Sequence, residues 1–548
     1  MIDAYRLQAQ SLFRTALVVA GAVVSTACGG GSVTPSAHAV PFDAATFQGV
    51  LTWHDDAART GENRHETTLT LANVRPRSFG KRFARRVDGM IYAQPLYVPR
   101  VSVPGAGTVD VVIVATEHDS VYAFDAAGRK TGPLWHASFI DAARKITTVP
   151  CTSSRQPECD PTILVPEHGI TGTPVVDPST GTVFVYAKTL QRGKYFWHLH
   201  ALDVRTGEER PGSPVAIRAT APGYSDAQFE PERGFGRSGL ALEGGIVYVS
   251  FASNDDARGW MMGYDARTLA QKFALCVAPT GNLGGIWMAG AAPAIDSEGK
   301  IFVTTGNGTF DADRGGPNYG MSLLGMTRRL SVTDYFAPFN AHVESRHDLD
   351  FASTGVMVLP DTQGPHPHEA VTADKHGWIF LVNRDHLGGF DPNGNDVIEE
   401  LDGNLGGGQM YDDPAYFNGA IYEAPPGQHL RRYVLRDGLL SLRPVSQSKD
   451  IFNYPGSTPS ISSNGDANGI VWTLAVRVPG AYAGGGPPAR LRAYDARDVS
   501  VELYDSGHAR ARDRAAPGIK FSVPTVANGM VYFGTQTELE AYGLLKQR

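Results

Sequence analysis

The chain repeats one pattern of short strands about eight times, and this repeat constrains the fold more than any other feature. Each copy is an apolar strand, a polar turn and a second strand, which often ends in an aromatic residue or Leu followed by Asp. The copies begin near Val111, Val183, Ile246, Ile301, Ala370, Ala420, Ile470 and Val531. A β-hairpin cannot bury its apolar face alone, so the repeat predicts an all-β, eight-bladed β-propeller. A tandem of unrelated β-sandwiches is the alternative.

Composition and charge agree with a turn-rich β protein. The 548 residues include 62 Gly and 36 Pro, and only 19% are charged. Along strands with one half-buried face we expect apolar and polar positions to alternate. The formal net charge is −7 and no basic stripe occurs. Nucleic acid is therefore excluded as an expected partner.

The N-terminus has the pattern of an export signal. Arg6 and Arg14 precede an apolar run at 16–24, which is too short to span a bilayer but suits the core of a signal peptide. The small residues before Cys28 resemble a bacterial lipoprotein cleavage site, whose cysteine is lipidated. The alternative is ordinary cleavage after Ala39.

These features divide the chain into three expected parts. Residues 1–27 form a lipoprotein-type signal peptide, 28–45 a flexible linker and 46–548 a single propeller domain. The protein is then exported, either periplasmic or anchored to the outer membrane. Contact with a membrane is expected only through the N-terminal lipid.

Cysteine usage is compatible with export. Cys151 and Cys159 flank a polar loop, and they are predicted to form a disulfide in an oxidising compartment. Cys276 lies in an apolar segment and is expected to be a buried strand residue.

The start of the mature chain and the blade turns resemble one family. The segments 53–61 and 69–74, and the turns at 122–128 and 202–207, resemble quinoprotein alcohol dehydrogenases of the PQQ-repeat type. The resemblance implies an eight-bladed propeller with pyrroloquinoline quinone (PQQ) and a metal ion on its axis. Non-enzymatic assembly lipoproteins share the blade repeat.

Four short segments carry the more specific resemblance. They occur, in order, at 284–287, 305–308, 347–352 and 374–380. The resemblance implies that Trp287 stacks under the quinone, that Asn307 is an oxygen ligand of Ca²⁺, and that Lys375 contacts the quinone oxygens. It also implies that Asp350 is the catalytic base and a ligand of the metal. Oxygen ligands and a flat apolar ring suit calcium and an aromatic cofactor.

One expected ligand was not found. The resemblance implies a Glu ligand from the blade before the Trp287 segment, expected at 182–202, which contains Lys188, Arg192 and Lys194 but no Asp or Glu. The resemblance alone would let Glu117 or Glu167 replace it. PQQ and Ca²⁺ are thus expected cofactors with an incomplete ligand set.

Two functions remain at this point. One is a PQQ-dependent dehydrogenase that oxidises an alcohol or a sugar. The other is a non-catalytic propeller lipoprotein that binds a protein or a glycan through its loops.

Overall fold

Eight sheets, each built on four antiparallel strands, form the blades of a β-propeller, as the repeat predicts, and four of them have one or two further short strands. The computed structural model describes residues 49–151, 166–253, 257–403, 409–477, 485–509 and 511–546. Each predicted copy supplies the second and third strands of one blade. The predicted signal peptide and linker lie outside the described residues and stay predictions, as does the start of the propeller domain at 46.

Blades 1 to 4 follow one another along the chain. Their strands, from the axis outwards, are Leu96–Val103, Gly107–Thr116, Ser120–Asp125 and Trp135–Ser138 in blade 1; Val175–Asp177, Thr182–Gln191, Lys194–Asp203 and Val215–Ala216 in blade 2; Ala241–Glu243, Ile246–Ser253, Trp260–Asp265 and Gln271–Cys276 in blade 3; Ala294–Ile295, Ile301–Thr304, Leu323–Met326 and Val332–Phe336 in blade 4.

Blades 5 to 8 complete the ring. Their strands are Val356–Val358, Glu369–Ala373, Trp378–Asn383 and Glu399–Asp402 in blade 5; Ala415–Phe417, Ala420–Glu423, His429–Arg436 and Ser446–Ile451 in blade 6; Ser460–Asn464, Ala467–Ala475, Arg490–Asp495 and Asp498–Asp505 in blade 7; Thr525–Ala527, Met530–Gly534, Glu538–Leu544 and Phe79–Arg86 in blade 8.

Blade 8 joins the two ends of the described chain. Its outer strand, Phe79–Arg86, comes from the N-terminal side and pairs antiparallel with Glu538–Leu544. This pairing closes the ring, so the last blade has a full set of four strands.

Short elements supplement the blades. The remaining strands are Glu62–Asn63, Ile146–Pro150, Glu167–His168, Thr220–Ala221, Tyr224–Gln228, Gly234–Phe235 and Leu439–Leu440. The helical segments are the α-helix Ala341–Arg346, named α1 here, and the 3₁₀ turns Met288–Gly290, Ala312–Arg314 and Phe351–Ser353. Among the described residues, no helix is long and apolar enough to cross a membrane.

The core lies between neighbouring blades, and it explains why the inner strands are apolar on both faces. Val111 and Ile113 pack towards blade 2, whereas Val112 and Val114 pack towards blade 8. Successive strand residues point to opposite faces, so a strand between two blades is buried throughout. The alternation of apolar and polar positions that we expect for half-buried strands therefore does not apply to these strands.

Candidate functional site

Blade topology brings the four predicted residues to one face of the propeller. In a four-stranded antiparallel blade, the connection between the second and third strands lies at the same end as the connection to the next blade. Asn307 and Lys375 lie in connections of the first kind, in blades 4 and 5. Trp287 and Asp350 lie in connections of the second kind. The sequence order thus becomes one cluster in space.

Gly306 lets the indole and the carboxylate approach each other. The Gly306 N–H donates to the carbonyl of Gly285 (2.8 Å), which ties the segment before Asn307 to the segment before Trp287. A Cβ atom at Gly306 would lie 2.4 Å from Asp350 Oδ1 and 3.2 Å from Trp287 Cδ1. Any larger residue would push the two side chains apart.

The Asp350 carboxylate is held between two groups. Its Oδ1 accepts the backbone N–H of Asn307 (2.9 Å), and its Oδ2 lies 3.4 Å from Lys375 Nζ. The backbone of Lys375 also donates to the carbonyl of Asp350 (3.0 Å). Burial raises the pKa of Asp350, an effect that the Lys375 ammonium and the Asn307 N–H oppose. The carboxyl is thus a stronger base than an exposed Asp.

The side-chain oxygen of Asn307 has no hydrogen-bond donor within the described structure. Its Nδ2 donates to Asp348 Oδ1 (2.8 Å), and Lys375 Nζ donates to Asp348 Oδ2 (2.9 Å). This contact fixes the amide orientation, because the opposite one would place oxygen against oxygen. Asn307 Oδ1 is buried and has no hydrogen-bond partner among the residues described. A buried acceptor without a donor is costly, and a cation would satisfy it.

Trp287 is half-buried and has aromatic and cationic neighbours. The Phe235 ring lies 5.5 Å from it between centroids. The guanidinium carbon of Arg237 lies 5.0 Å from the Trp287 centroid and 5.2 Å from that of Phe521. Sequence reasoning missed Arg237. Arg237 lies in the connection before the inner strand of blade 3, and Trp287 lies in the equivalent connection before the inner strand of blade 4. This equivalence is the sequence signal that could have identified Arg237.

Of the two proposed substitute carboxylates, Glu117 interacts electrostatically with Arg237. Glu117 is fully buried, and its Oε2 accepts the N–H of Gly169 (2.8 Å). Burial raises its pKa to about 8, while Arg237 acts in the opposite direction. Glu167 instead contacts His118 Nδ1 (2.8 Å) and the hydroxyl of Thr148 (2.7 Å). Neither makes a hydrogen bond to Asn307 or Asp350 in the described structure.

The interval predicted for the missing Glu, 182–202, lies one blade too early in the chain. Residues 182–202 belong to blade 2, whereas blade 3 comes directly before Trp287. Lys188 Nζ donates to the carbonyls of Glu232 and Gly234 (2.8 and 3.1 Å). In blade 3, the equivalent connection is 254–259, and its residues 254–256, Asn-Asp-Asp in the sequence, lie outside the described residues.

The predicted cysteine chemistry falls partly outside the described residues. Cys151 is buried and disulfide-bonded, but Cys159 and the predicted lipidation site Cys28 are not described. Their pairing and modification stay predictions. Cys276 is a free, buried strand residue, and burial raises the pKa of its thiol to about 11.

Solved structures share this architecture. A quinohemoprotein alcohol dehydrogenase from Comamonas testosteroni superimposes with a TM-score of 0.60 at 14% identity, over 91% of this chain and 81% of that one. The quinohemoprotein alcohol dehydrogenase ADHIIG from Pseudomonas putida HK5 superimposes with a TM-score of 0.56 at 14% identity, over 91% of this chain and 81% of that one. This chain has the eight-bladed fold of quinoprotein alcohol dehydrogenases. No protein-family model matches the sequence, and no curated protein matches it.

Proposed function

We propose that this protein is a PQQ- and Ca²⁺-dependent dehydrogenase that oxidises an alcohol or a sugar. One observation carries the proposal: Asn307 Oδ1 is buried without a hydrogen-bond partner among the described residues, and the backbone N–H of the same residue donates to the Asp350 carboxylate. A fold alone does not determine an activity, because propellers have many functions. An unsatisfied oxygen beside a carboxylate is a property of the site itself.

The residues at this face fit the two cofactors. Asn307 Oδ1 and the Asp350 carboxylate would hold the calcium ion, which prefers such hard oxygen ligands. The half-exposed indole of Trp287 would stack against the quinone. Lys375 and Arg237 would contact its oxygens and carboxylates. Asp348 also contacts this pair, but it accepts from the amide nitrogen of Asn307 and from Lys375. Asn307 Oδ1 and the Asp350 carboxylate are therefore a minimal ligand set.

The proposed roles of these residues follow from their contacts. When bound, PQQ supplies a two-electron acceptor and Ca²⁺ polarises it. Asp350 is positioned to accept the hydroxyl proton of the substrate, and its raised pKa favours that transfer. Asp348 neutralises part of the charge of Lys375 and orients the Asn307 amide.

Reconstitution tests this function. The purified protein is incubated with PQQ and Ca²⁺, and the absorbance of bound quinone and dye-linked oxidation of primary alcohols and aldoses are recorded. We expect stoichiometric uptake and oxidation, both abolished by a chelator. Absence of quinone uptake at high micromolar PQQ would contradict the proposal and leave a scaffold that binds a protein or a glycan.

We propose further that the protein is exported and anchored by lipid on Cys28. The support is the sequence before Cys28 and the electron-accepting chemistry of the proposed cofactor, which suits the periplasm. Mass spectrometry of the N-terminus of the native protein tests this. A chain that begins at a lipidated Cys28 is expected; a chain that begins after Ala39 would contradict anchoring, and an uncleaved N-terminus would contradict export.

A further inference from the structure

A single short helix contacts the loops that carry Asn307, Asp350 and Lys375. This helix, α1 (Ala341–Arg346), lies between the outer strand of blade 4 and the inner strand of blade 5. The Asp350 loop follows it directly. The other two loops belong to the second-to-third strand connections of blades 4 and 5, so they reach α1 only through space.

Glu344 links α1 to the Asp350 and Lys375 loops. Its backbone carbonyl accepts the N–H of His347 (2.9 Å) and of Leu349 (3.1 Å), which shapes the loop leading to Asp350. Its side chain is 2% exposed, and Oε1 lies 3.0 Å from Nδ1 of His376, the residue after Lys375. Asn340 Nδ2 donates to the same oxygen (2.8 Å).

Ser345, the next residue, links α1 to the third loop. Its hydroxyl oxygen accepts the backbone N–H of Gly308 (3.1 Å), the residue after Asn307. Two successive residues of α1 therefore contact all three loops.

We propose that Glu344 is a positioning residue that sets the distance between the Asp350 and Lys375 loops, with Ser345 setting that of the Asn307 loop. This inference rests on the proposed function, since it assigns Glu344 a role in the metal and quinone site. Glu344 itself contacts none of Asn307, Asp350 or Lys375 through its side chain in the described structure.

The environment of Glu344 is energetically unfavourable for a carboxylate, which argues against a contact that has no role. Glu344 Oε2 and Asp374 Oδ2 are both buried without a hydrogen-bond partner among the described residues. Burial, then the neighbouring Glu344 carboxylate, raises the pKa of Asp374 to about 8. Two buried carboxylates beside one half-exposed imidazole cost folding free energy. The arrangement is compensated if it fixes the geometry of a site.

Three variants test the proposal: Glu344→Ala, Glu344→Gln and Ser345→Ala, with the exposed Glu298→Gln as matched control. Hydrogen–deuterium exchange of peptides covering 347–350 and 374–377 reports the loops, and calorimetry reports Ca²⁺ binding with PQQ present. We expect Glu344→Ala to speed hydrogen–deuterium exchange in both loops and to weaken Ca²⁺ binding at least tenfold. Ser345→Ala should speed exchange only in the loop at 306–309.

The conservative variant separates positioning from general destabilisation. Glu344→Gln keeps one oxygen that can accept from both Asn340 and His376, as Oε1 does in the wild type, so it should restore most of the slow exchange. Exchange in blade 1 at 111–116 should be the same in all variants. Unchanged exchange at 347–350 and 374–377 in Glu344→Ala would overturn the proposal. If the wild-type protein binds no Ca²⁺ but the loops still loosen, the positioning role stands and the proposed function fails.

Discussion

Two acidic regions of the propeller look alike by composition, but their hydrogen bonds differ. On the outer strand of blade 7 and just after it, ligand atoms of Glu502, Asp505 and His508 lie within 4.8 Å of one another. Asp505 is buried, yet its oxygens accept from Arg490, Arg492 and the N–H of Gly507. At the junction of blades 4 and 5, Asp350 accepts the backbone N–H of Asn307 and lies beside a single ammonium, that of Lys375, among the described residues.

The comparison shows that proximity of carboxylates is a weaker indication of a metal site than an unsatisfied acceptor. Asp505 already has donors on both oxygens, so a cation there would compete with two guanidinium groups. Beside Asp350, the buried oxygen of Asn307 has no donor among the described residues. A cation bound to Asn307 Oδ1 would displace no donor from that oxygen, although at Asp350 it would compete with Lys375 and the Asn307 N–H. The blade 4–5 junction is therefore the stronger candidate for a metal site, whereas Asp505 belongs to an ion-pair cluster in blade 7.

The largest expected effect distinguishes these regions by activity. Asp350→Asn removes the proposed base and should lower the rate of alcohol oxidation by the reconstituted protein by about 10³-fold, within the usual range for a general base. Asp505→Asn should leave the rate of the folded fraction unchanged. Equal losses in the two variants, measured with the dye-linked assay, would remove the functional distinction.

Stability should show the opposite order. Asp505→Asn leaves the guanidinium groups of Arg490 and Arg492 with a neutral partner, and Arg492 is nearly buried. We expect the free energy of unfolding to fall by about 3 kcal/mol, because breaking a buried pair is costly. Urea denaturation followed by fluorescence measures it. A fall of the same size in Asp350→Asn would mean that Asp350 is a structural residue too.

A smaller effect is expected at Arg237. Its guanidinium lies over Trp287 and Phe521, and it would meet the carboxylates of PQQ. Arg237→Ala should raise the Kd for PQQ about fivefold, which corresponds to about 1 kcal/mol for such a contact. The exposed Arg329→Ala is the control. Tighter binding in Arg237→Ala would show that the guanidinium instead covers the stacking face.

The smallest effect concerns pH. The hydrogen bond to Glu344 raises the pKa of His376, with Asp374 adding to it. A raised histidine pKa contributes stability that is present below about pH 6.5 and is lost as pH rises through the folded-state value. His376→Gln should therefore reduce the fall in Tm between pH 5.5 and pH 8.5. A fall as large as that of the wild type would exclude this contribution.

The fold could be predicted because its signal is local and repeated. Each copy, such as the one at Val111, contains its own strands and turn, and the ring follows from the need to bury both faces. The closing strand Phe79–Arg86 was not predicted, because it lies outside the repeat and pairs with the opposite end of the chain.

The candidate site could be predicted only for the residues that lie in successive connections between strands. Trp287, Asn307, Asp350 and Lys375 were found by their order along the chain. Arg237 and Glu344 are linked to these segments by contacts between side chains that are distant in the sequence, which no spacing shows. The search for a Glu ligand in blade 2 failed because neighbouring blades look alike, so a local motif does not say which blade precedes Trp287.

Calorimetric titration with Ca²⁺ in the presence of PQQ tests the central claim most directly. Wild-type protein, Asn307→Ala and Asp505→Asn are compared at one protein concentration. We predict one Ca²⁺ per chain for the wild type and for Asp505→Asn, and affinity at least tenfold weaker for Asn307→Ala. Equal affinity in wild type and Asn307→Ala, with loss in Asp505→Asn, would contradict the account and place the cation in blade 7.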